Sequence, residues 1–485
     1  MAKKRVRGAQ RSIHVRNLIY HFIYPYTKIF FFHYYGRVEV RGKENIPRNT
    51  PVIFAPNHQN ALMDALIVLF SAPGDVVFLA RADIFNKRFL AFLLNSLKIL
   101  PVFRQRDGAS ELGKNVDIFD ISVNVLKNKH YLCVMPEGNH GHQRKLRPLV
   151  KGIFRIAFQA QEKLGSEPFV KIVPVGLDFG DYVKQNASLY INYGKPIEVS
   201  EYWEQFQENS ARAINALKSR LGEELSPLMI DIQNEEHYEA IYVLKGIFNK
   251  SMRNELGITG TSLSDRFKAD KELIRRVELL LDQKTESSGE KVEKEEKAEK
   301  SEQVEKEDPQ DTEQVEALMA RVSLYEAGVK KLKIRDWVVE ERGIGPVRTA
   351  LRYLGLLFTF PLFLYGLVNN ALPYFLPVRM VRKIKDRQFH ASVKAGLGIL
   401  ILFPLIHGLQ TLLVGIFTGP WWIWVLYMVS LFPLGKVALW WYGRWKKTVR
   451  GAWFNRQLRR RKPEAWELVE LRREIIAETA RLVTP

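Results

Sequence analysis

"PVIFAPNHQNALMDALIVLFSAPGDVVFLA", residues 51–80, decides the fold. It opens with an apolar run, Val52 to Ala55, of a length and composition that suit a strand buried on both faces. A polar turn containing Asn57 and His58 follows, then Ala61 to Ser71 is dense in helix-forming apolar residues. Ala72-Pro73-Gly74 punctuates the chain before a second apolar run, Val76 to Ala80. Strand, helix, strand is the repeating unit of an α/β domain. Working outward, further strands are predicted at Leu100–Phe103, Tyr131–Met135, Lys171–Val175 and Leu189–Tyr193, with helices at Lys87–Leu97, Gly113–Asn128 and Lys151–Leu164. Arg37 to Pro47 adds a short alternating strand and a turn. The sequence therefore predicts an α/β domain over residues 37–199, a mostly parallel sheet flanked by helices.

The flanks differ in composition. Residues 1–36 form a basic and aromatic segment, with Pro25 interrupting the apolar run from Ile13 to Tyr35. Tyrosines and basic residues on an apolar body predict an interfacial segment, and a core helix of the following domain is the competing reading. Residues 200–283 read as a helical region, with Ser200 and Ser264 as helix-capping candidates. Residues 284–316 carry six lysines against thirteen acidic residues and are predicted to be a solvated, disordered linker. A helical segment, 317–352, leads to the hydrophobic part of the chain.

Two stretches there lack Asp, Glu, Lys and Arg: Tyr353 to Val378 and Ala395 to Gly435. The second, within residues 395–443, divides at "TGPWW" into Ala395–Phe417 and Trp421–Tyr442, which predicts a transmembrane helical hairpin with an interfacial turn. Arg379, Arg382, Lys383, Lys385, Arg387 and Lys394 flank one open end, and Arg444, Lys446, Lys447 and Arg450 the other. The positive-inside rule puts both flanks, and the basic tail 444–485, in the cytoplasm. Residues 353–377 have basic residues at both ends and contain Pro361, Pro373 and Pro377. A re-entrant or interfacial element is expected, which keeps the α/β domain on the cytoplasmic face of an integral membrane protein.

The formal net charge is +20, and excluding the acidic linker raises the remainder to +27. Such an excess suits anionic lipid or nucleic acid. The basic residues accompany apolar segments, and no zinc-finger spacing, basic-leucine heptad or RNA-recognition signature occurs, so nucleic acid is not an expected partner. The single cysteine, Cys133, excludes an internal disulfide and reads as a packed strand residue.

The chemistry concentrates after the first buried strand. His58 lies at a strand end, where substrates reach an α/β sheet. A neutral imidazole there can take a proton from an alcohol, and a carboxylate on its other nitrogen fixes the tautomer and supports the imidazolium. Asp64 is the candidate carboxylate. Six residues along one helix turn through about 240°, so the pair can meet only if His58 sits in the turn before the helix.

Four blocks in order resemble the glycerolipid acyltransferase superfamily: "NHQNALMD" (57–64), "LPVFRQRD" (100–107), "MPEGNHGHQRKLRPLVKG" (135–152) and "VPVG" (173–176). The resemblance covers residues 38–199. It implies the glycerolipid acyltransferase fold, with His58 as base and Asp64 as its support. It further implies Arg104, helped by Arg106, as the clamp on the acceptor's phosphate, and Glu137 and Gly138 as contacts to the glycerol part. A guanidinium is apt because it stays charged and binds phosphate bidentately.

Lys151 is the last substrate-binding candidate, on a basic rim with His140, His142, Arg144, Lys145 and Arg147. The two histidines lack further ligands, so no metal site is expected, and no cofactor either. The implied reaction moves an acyl group from an acyl thioester, acyl-CoA or acyl carrier protein, to a glycerophosphate hydroxyl in phospholipid biosynthesis. Membrane lipids, thioester and glycerophosphate are the expected partners.

Most of the family has four residues between the histidine and the aspartate, and this chain has five. With the Pro-Val-x-Arg form of the second block, that resembles the branch containing fungal-type glycerol-3-phosphate and dihydroxyacetone-phosphate acyltransferases, and it favours glycerol-3-phosphate as acceptor. The same residues would serve a lysophosphatidic acid acyltransferase. A reading of another class is a non-catalytic membrane adaptor on an acyltransferase-like fold.

Overall fold

The computed structural model describes residues 13, 18–86, 88–102, 115–165, 169–293 and 309–483. The chain forms two compact units, one comprising the residues to Asp231 together with Leu376–Leu402, the other Ile232–Phe375 and Phe403–Pro485. The hydrophobic region thus contributes to both.

The first unit is built on an eight-stranded sheet: β1 (Arg37–Arg41), β2 (Val52–Pro56), β3 (Val76–Arg81), β4 (Ile99–Val102), β5 (Tyr131–Cys133), β6 (Lys171–Phe179), β7 (Ser188–Tyr193) and β8 (Ile197–Glu198). The spatial order is β1-β7-β6-β2-β5-β3-β4, with β8 on β6. Only the β6 pairings with β7 and β8 are antiparallel. The mostly parallel sheet is therefore observed.

Its strands alternate between two cores. Val52 and Phe54 of β2 point into one, Ile53 and Ala55 into the other, and all four are inaccessible to solvent. Burial on both faces explains why β2 reads as a continuous apolar run.

Helix α1 (Leu18–Tyr34) continues through Pro25, and Phe31, Tyr34 and Tyr35 after it join the first core, packing near Phe70 and Phe179. The competing reading, a helix of the domain core, holds for this aromatic face. Leu18, Phe22 and Ile29 remain exposed on its outer side.

The "VPVG" block has a packing explanation. Lys171 and Ile172 of β6 pair with β8, whereas Val175 to Phe179 pair with β7. Pro174 falls in the gap between the two pairings, where its missing N–H costs no ladder bond. A Cβ on Gly176 would stand 1.9 Å from the Leu228 carbonyl oxygen. That glycine lets the Ser226–Leu228 turn seat on the strand.

In the second unit the helix Leu263–Glu293 starts on a reciprocal cap: Ser262 Oγ accepts from Asp265 N and Asp265 Oδ2 from Ser262 N, each at 3.0 Å. The cap is Ser262, not Ser264, which lies inside the helix. Ser200 lies in a short 3₁₀ turn, Val199–Tyr202. Helix extends to Glu293 and resumes at Pro309, so both ends of the charged linker are helical.

Two helices, Phe389–Thr418 and Trp421–Arg459, are long and apolar enough to cross a membrane. Gly419 and Pro420 join them. The preceding apolar stretch forms two helices, Pro346–Phe358 and Phe360–Val381, bent by 57°. At the break Trp441 Nε1 donates to the Leu356 carbonyl (2.9 Å), one that helix termination leaves without a helical partner. Further on, Tyr427 Oη donates to Asn369 Oδ1 (2.5 Å) and Asn370 Nδ2 to the Leu431 carbonyl (3.2 Å), so the second half of the bent pair runs beside the Trp421–Arg459 helix.

Gly176→Ala should lower stability by about 1–3 kcal/mol, because the added methyl meets backbone that cannot rotate away. Chemical or thermal unfolding of the purified protein reads the loss.

Candidate active site

The site grows from three adjacent parallel strands. β2 leads into His58 and β5 into Glu137, and because Phe54 pairs with Cys133 the two residues emerge side by side although 79 positions separate them. On the other flank Asn57 fastens the turn to β6: its Oδ1 accepts from Leu177 N (2.7 Å) and its Nδ2 donates to the Leu177 carbonyl (3.2 Å).

His58 and Asp64 meet. Asp64 Oδ2 lies 2.8 Å from His58 Nδ1 and also accepts the backbone N–H groups of Gln59 (2.8 Å) and Asn60 (2.7 Å). Three contacts on one oxygen fix the carboxylate's orientation. The Asp64 side chain is wholly buried, in the first turn of α2 (Leu62–Ser71), where the helix N-terminus favours negative charge. His58 Nε2 engages no protein atom among the described residues, so one ring nitrogen is fixed and the other is available.

The extra residue between the pair is absorbed at Ala61. Its φ of 46° and ψ of −125° place it as the first central residue of a tight turn, closed by Met63 N donating to the Asn60 carbonyl at 3.0 Å. That conformation favours glycine and costs an alanine on the order of 1–3 kcal/mol. It keeps His58 outside the helix that carries Asp64.

Glu137 is held between the two loops. It is 5% exposed; its Oε1 accepts the His58 N–H (2.7 Å) and its Oε2 accepts Arg147 Nε (2.6 Å). Arg147 also donates to the carbonyls of His58 (3.1 Å) and Asn139. Glu137 is therefore the joint between the two loops, with both oxygens held by protein donors. Burial pushes its carboxyl above the ordinary range, against the pull of Arg147 and the His58 N–H. Gly138 follows in the left-handed region (φ 69°), and a Cβ there would press on Val150 at 3.2 Å. Its N–H donates to the Met135 carbonyl at 3.1 Å, which closes the backbone turn.

The basic rim also resolves differently. Arg144 is buried, paired with Asp178 (3.2 Å) and lying over the Tyr182 ring. Lys151 is exposed at the start of the Gly152–Leu164 helix, and no hydrogen bond or ion pair among the described residues joins it to His58. Arg104 and Arg106 lie outside the described residues. Among the described residues no group of three or more His, Cys, Asp or Glu could hold a metal ion.

Two residues that the sequence alone does not assign to the site belong to it. Gln59 bridges to Tyr182, whose Oη donates to Gln59 Oε1 at 2.7 Å. Asp386 reaches His140 from 246 positions away, Oδ2 to Nε2 at 2.8 Å. No local sequence signal marks either.

Fold and site together define an α/β domain with a histidine–aspartate pair at the carboxyl edge of a mostly parallel sheet. Residues 37–178 match the family described as Acyltransferase, which supports the glycerolipid acyltransferase superfamily for this domain. The human 1-acyl-sn-glycerol-3-phosphate acyltransferase alpha is 30% identical over 144 residues, 29% of this chain and 46% of that protein. The Bacillus subtilis 1-acyl-sn-glycerol-3-phosphate acyltransferase is 21% identical over 189 residues, 39% of this chain and 88% of that protein. This chain thus spans about half the length of the mammalian relatives it matches. The crystal structure of a Thermotoga maritima 1-acyl-sn-glycerophosphate acyltransferase aligns over 41% of this chain and 80% of its own, at 22% identity and a TM-score of 0.29.

Removing Arg147 tests the joint. Arg147→Ala takes away a cation that holds the Glu137 carboxyl down, so its folded pKa rises further above the unfolded value. A carboxyl raised on folding stabilises the fold below the unfolded carboxylate range and loses that contribution as pH climbs through the folded value. Between about pH 4 and pH 8 the variant should fall progressively further behind wild type, on top of a pH-independent loss from its two carbonyl hydrogen bonds. Melting temperature measured across that range reads the divergence. Ala61→Gly should relieve the turn and raise stability by up to about 1 kcal/mol, with the His58–Asp64 geometry retained.

Proposed function

We propose that the protein is a membrane-seated acyltransferase that moves an acyl group from an acyl thioester to a glycerophosphate hydroxyl, with 1-acylglycerol-3-phosphate as the acceptor. The 2.8 Å pairing of His58 with a wholly buried Asp64, inside the family-matched domain, carries this reading. His58 Nε2 takes the proton of the acceptor hydroxyl as its oxygen attacks the thioester carbonyl. The C–O bond of the new ester forms as the C–S bond breaks, and the imidazolium, supported by Asp64 while it lasts, returns its proton to the departing thiolate. A base so placed contributes about 10²–10⁴-fold, the remainder coming from orientation and oxyanion stabilisation. The non-catalytic adaptor reading leaves this pairing without a purpose.

The relatives named as 1-acylglycerol-3-phosphate acyltransferases favour that acceptor over the glycerol-3-phosphate expected from motif spacing. The five-residue interval and the "PVFR" block keep glycerol-3-phosphate as the second reading. The apolar helices suit either, since product and acyl chain gain about 0.8 kcal/mol per methylene buried in lipid. Basic residues at both ends of the hairpin support a cytoplasmic catalytic domain, with the 353–377 element returning to the same side.

Detergent-purified protein given labelled acyl-CoA should acylate 1-acylglycerol-3-phosphate more efficiently than glycerol-3-phosphate. His58→Ala should lose at least about 10²-fold in rate while unfolding at the wild-type temperature. Full residual activity in the variant would remove His58 as the base, and a preference for glycerol-3-phosphate would reverse the acceptor assignment.

A further inference from the structure

The segment that leads into the first membrane helix is built into the acyltransferase unit, beside His58. Residues 376–402 belong to the same compact unit as the sheet. Ala391, Ala395 and Ile399 are buried in the core that contains β2 and α2. Tyr26 Oη donates to the Ile399 carbonyl at 2.7 Å, and Lys394 Nζ to the Val183 carbonyl.

At the start of this segment stands a second imidazole–carboxylate pair, His140 Nε2 to Asp386 Oδ2 at 2.8 Å. The other Asp386 oxygen accepts from Gln388 N at 3.1 Å, which ties the carboxylate to its own turn. The His140 ring packs edge-on against Phe389 on one side (5.0 Å between centroids) and against His58 itself on another (5.5 Å). Asp386 alone is half exposed, and an exposed ion pair holds little. Here it acts together with the Phe389 contact and the buried alanines.

The pinned turn sits in a run of like charge. Residues 379–387 read RMVRKIKDR, five basic residues and one acidic, a net +4. Arg379, Arg382, Lys383, Lys385 and Arg387 are exposed, and no ion pair among the described residues neutralises them. Lys385 and Arg387 flank the residue that is bonded to His140.

We infer that residues 379–387 form a cationic strap across the mouth of the His58 site, latched by His140–Asp386, whose Lys385 and Arg387 bind the phosphate monoester of the acceptor. This rests on the acyltransferase reading. The chemistry that selects the ligand is proximity: in a glycerophosphate the phosphate lies only a few bonds from the acylated hydroxyl. A hydroxyl at His58 Nε2 therefore brings its phosphate into the neighbourhood of His140 and the residues pinned to it. Long cationic side chains there neutralise a dianion without entering the reaction. The strap lies outside the family-matched residues 37–178, so this part of the site is contributed by the membrane-proximal segment of the chain.

Steady-state kinetics in uncharged detergent micelles separate this role from its rivals. The Lys385→Gln/Arg387→Gln variant should raise KM for 1-acylglycerol-3-phosphate by about tenfold, with kcat within about threefold and KM for acyl-CoA within about twofold of wild type. His140→Ala and Asp386→Asn should each raise the acceptor KM, and the double variant no further than the larger single change. A rise confined to the acyl-CoA KM would assign the cations to the donor's phosphates and overturn the proposal. Unmoved KM values would leave the cluster as a bilayer flank and overturn it equally. Additive single changes would remove the latch. An inactive wild type toward every acceptor would instead defeat the acyltransferase reading itself, a result distinct from active enzyme with unmoved KM.

Discussion

The Asp64 carboxylate is the constraint on which the site depends. A wholly buried carboxylate needs partners, and here the His58 ring and two successive backbone N–H groups converge on Oδ2, while Oδ1 has no hydrogen bond among the described residues. Those N–H groups belong to the turn that carries His58, so the same carboxylate that orients the imidazole also folds the loop presenting it. The backbone on the far side of His58 is fixed by Glu137 and Arg147, which take its N–H and its carbonyl. Orientation of the His58 ring and its loop is over-determined. The proposed proton acceptor needs such alignment, because proximity and orientation supply much of a rate.

The sheet explains why these residues meet. Parallel strands direct all their carboxyl ends to one edge, and β2, β5 and β6 are consecutive in the sheet. Each delivers one part: His58, the Glu137 joint, and the Leu177 backbone that Asn57 grips. Burial on both faces makes their register rigid, because slipping by one residue would exchange the two cores.

Much of this was legible in the sequence because periodicity and composition report burial. The strands of the 52–193 region and the position of His58 before its helix follow from apolar runs and their punctuation. What a one-dimensional pattern cannot carry is which polar side chains turn inward. Arg144 and Arg147 read as members of a solvated basic rim, yet one is sealed against Asp178 and the other completes the Glu137 joint. Their partners lie on other loops, and nothing in spacing links them. The Ala61 turn is a similar case. Alanine gives no hint of a positive φ, and the strain becomes intelligible only once the Asp64 hydrogen bonds are seen to demand it. The N-terminal aromatic segment shows the opposite ambiguity, since the same tyrosines suit a core and an interface, and tertiary packing decides for Phe31, Tyr34 and Tyr35.

The hydrophobic region has a second consequence for the domain. An anchor that merely tethers a soluble enzyme would join it through a linker, and its first turns would have no place in the enzyme's core. Here Ala391 and Ala395, both small, let the start of the apolar helix pack beside α2, the helix that carries Asp64. A π-helical stretch, Lys394–Leu402, follows, and the Tyr26 hydroxyl donates to the Ile399 carbonyl within it. π-helical turns are costly and tend to persist where function needs them. Moving this helix would disturb the neighbours of Asp64 and, through His140, those of His58. The start of the apolar segment is therefore part of the packing that sets the surroundings of His58 and Asp64.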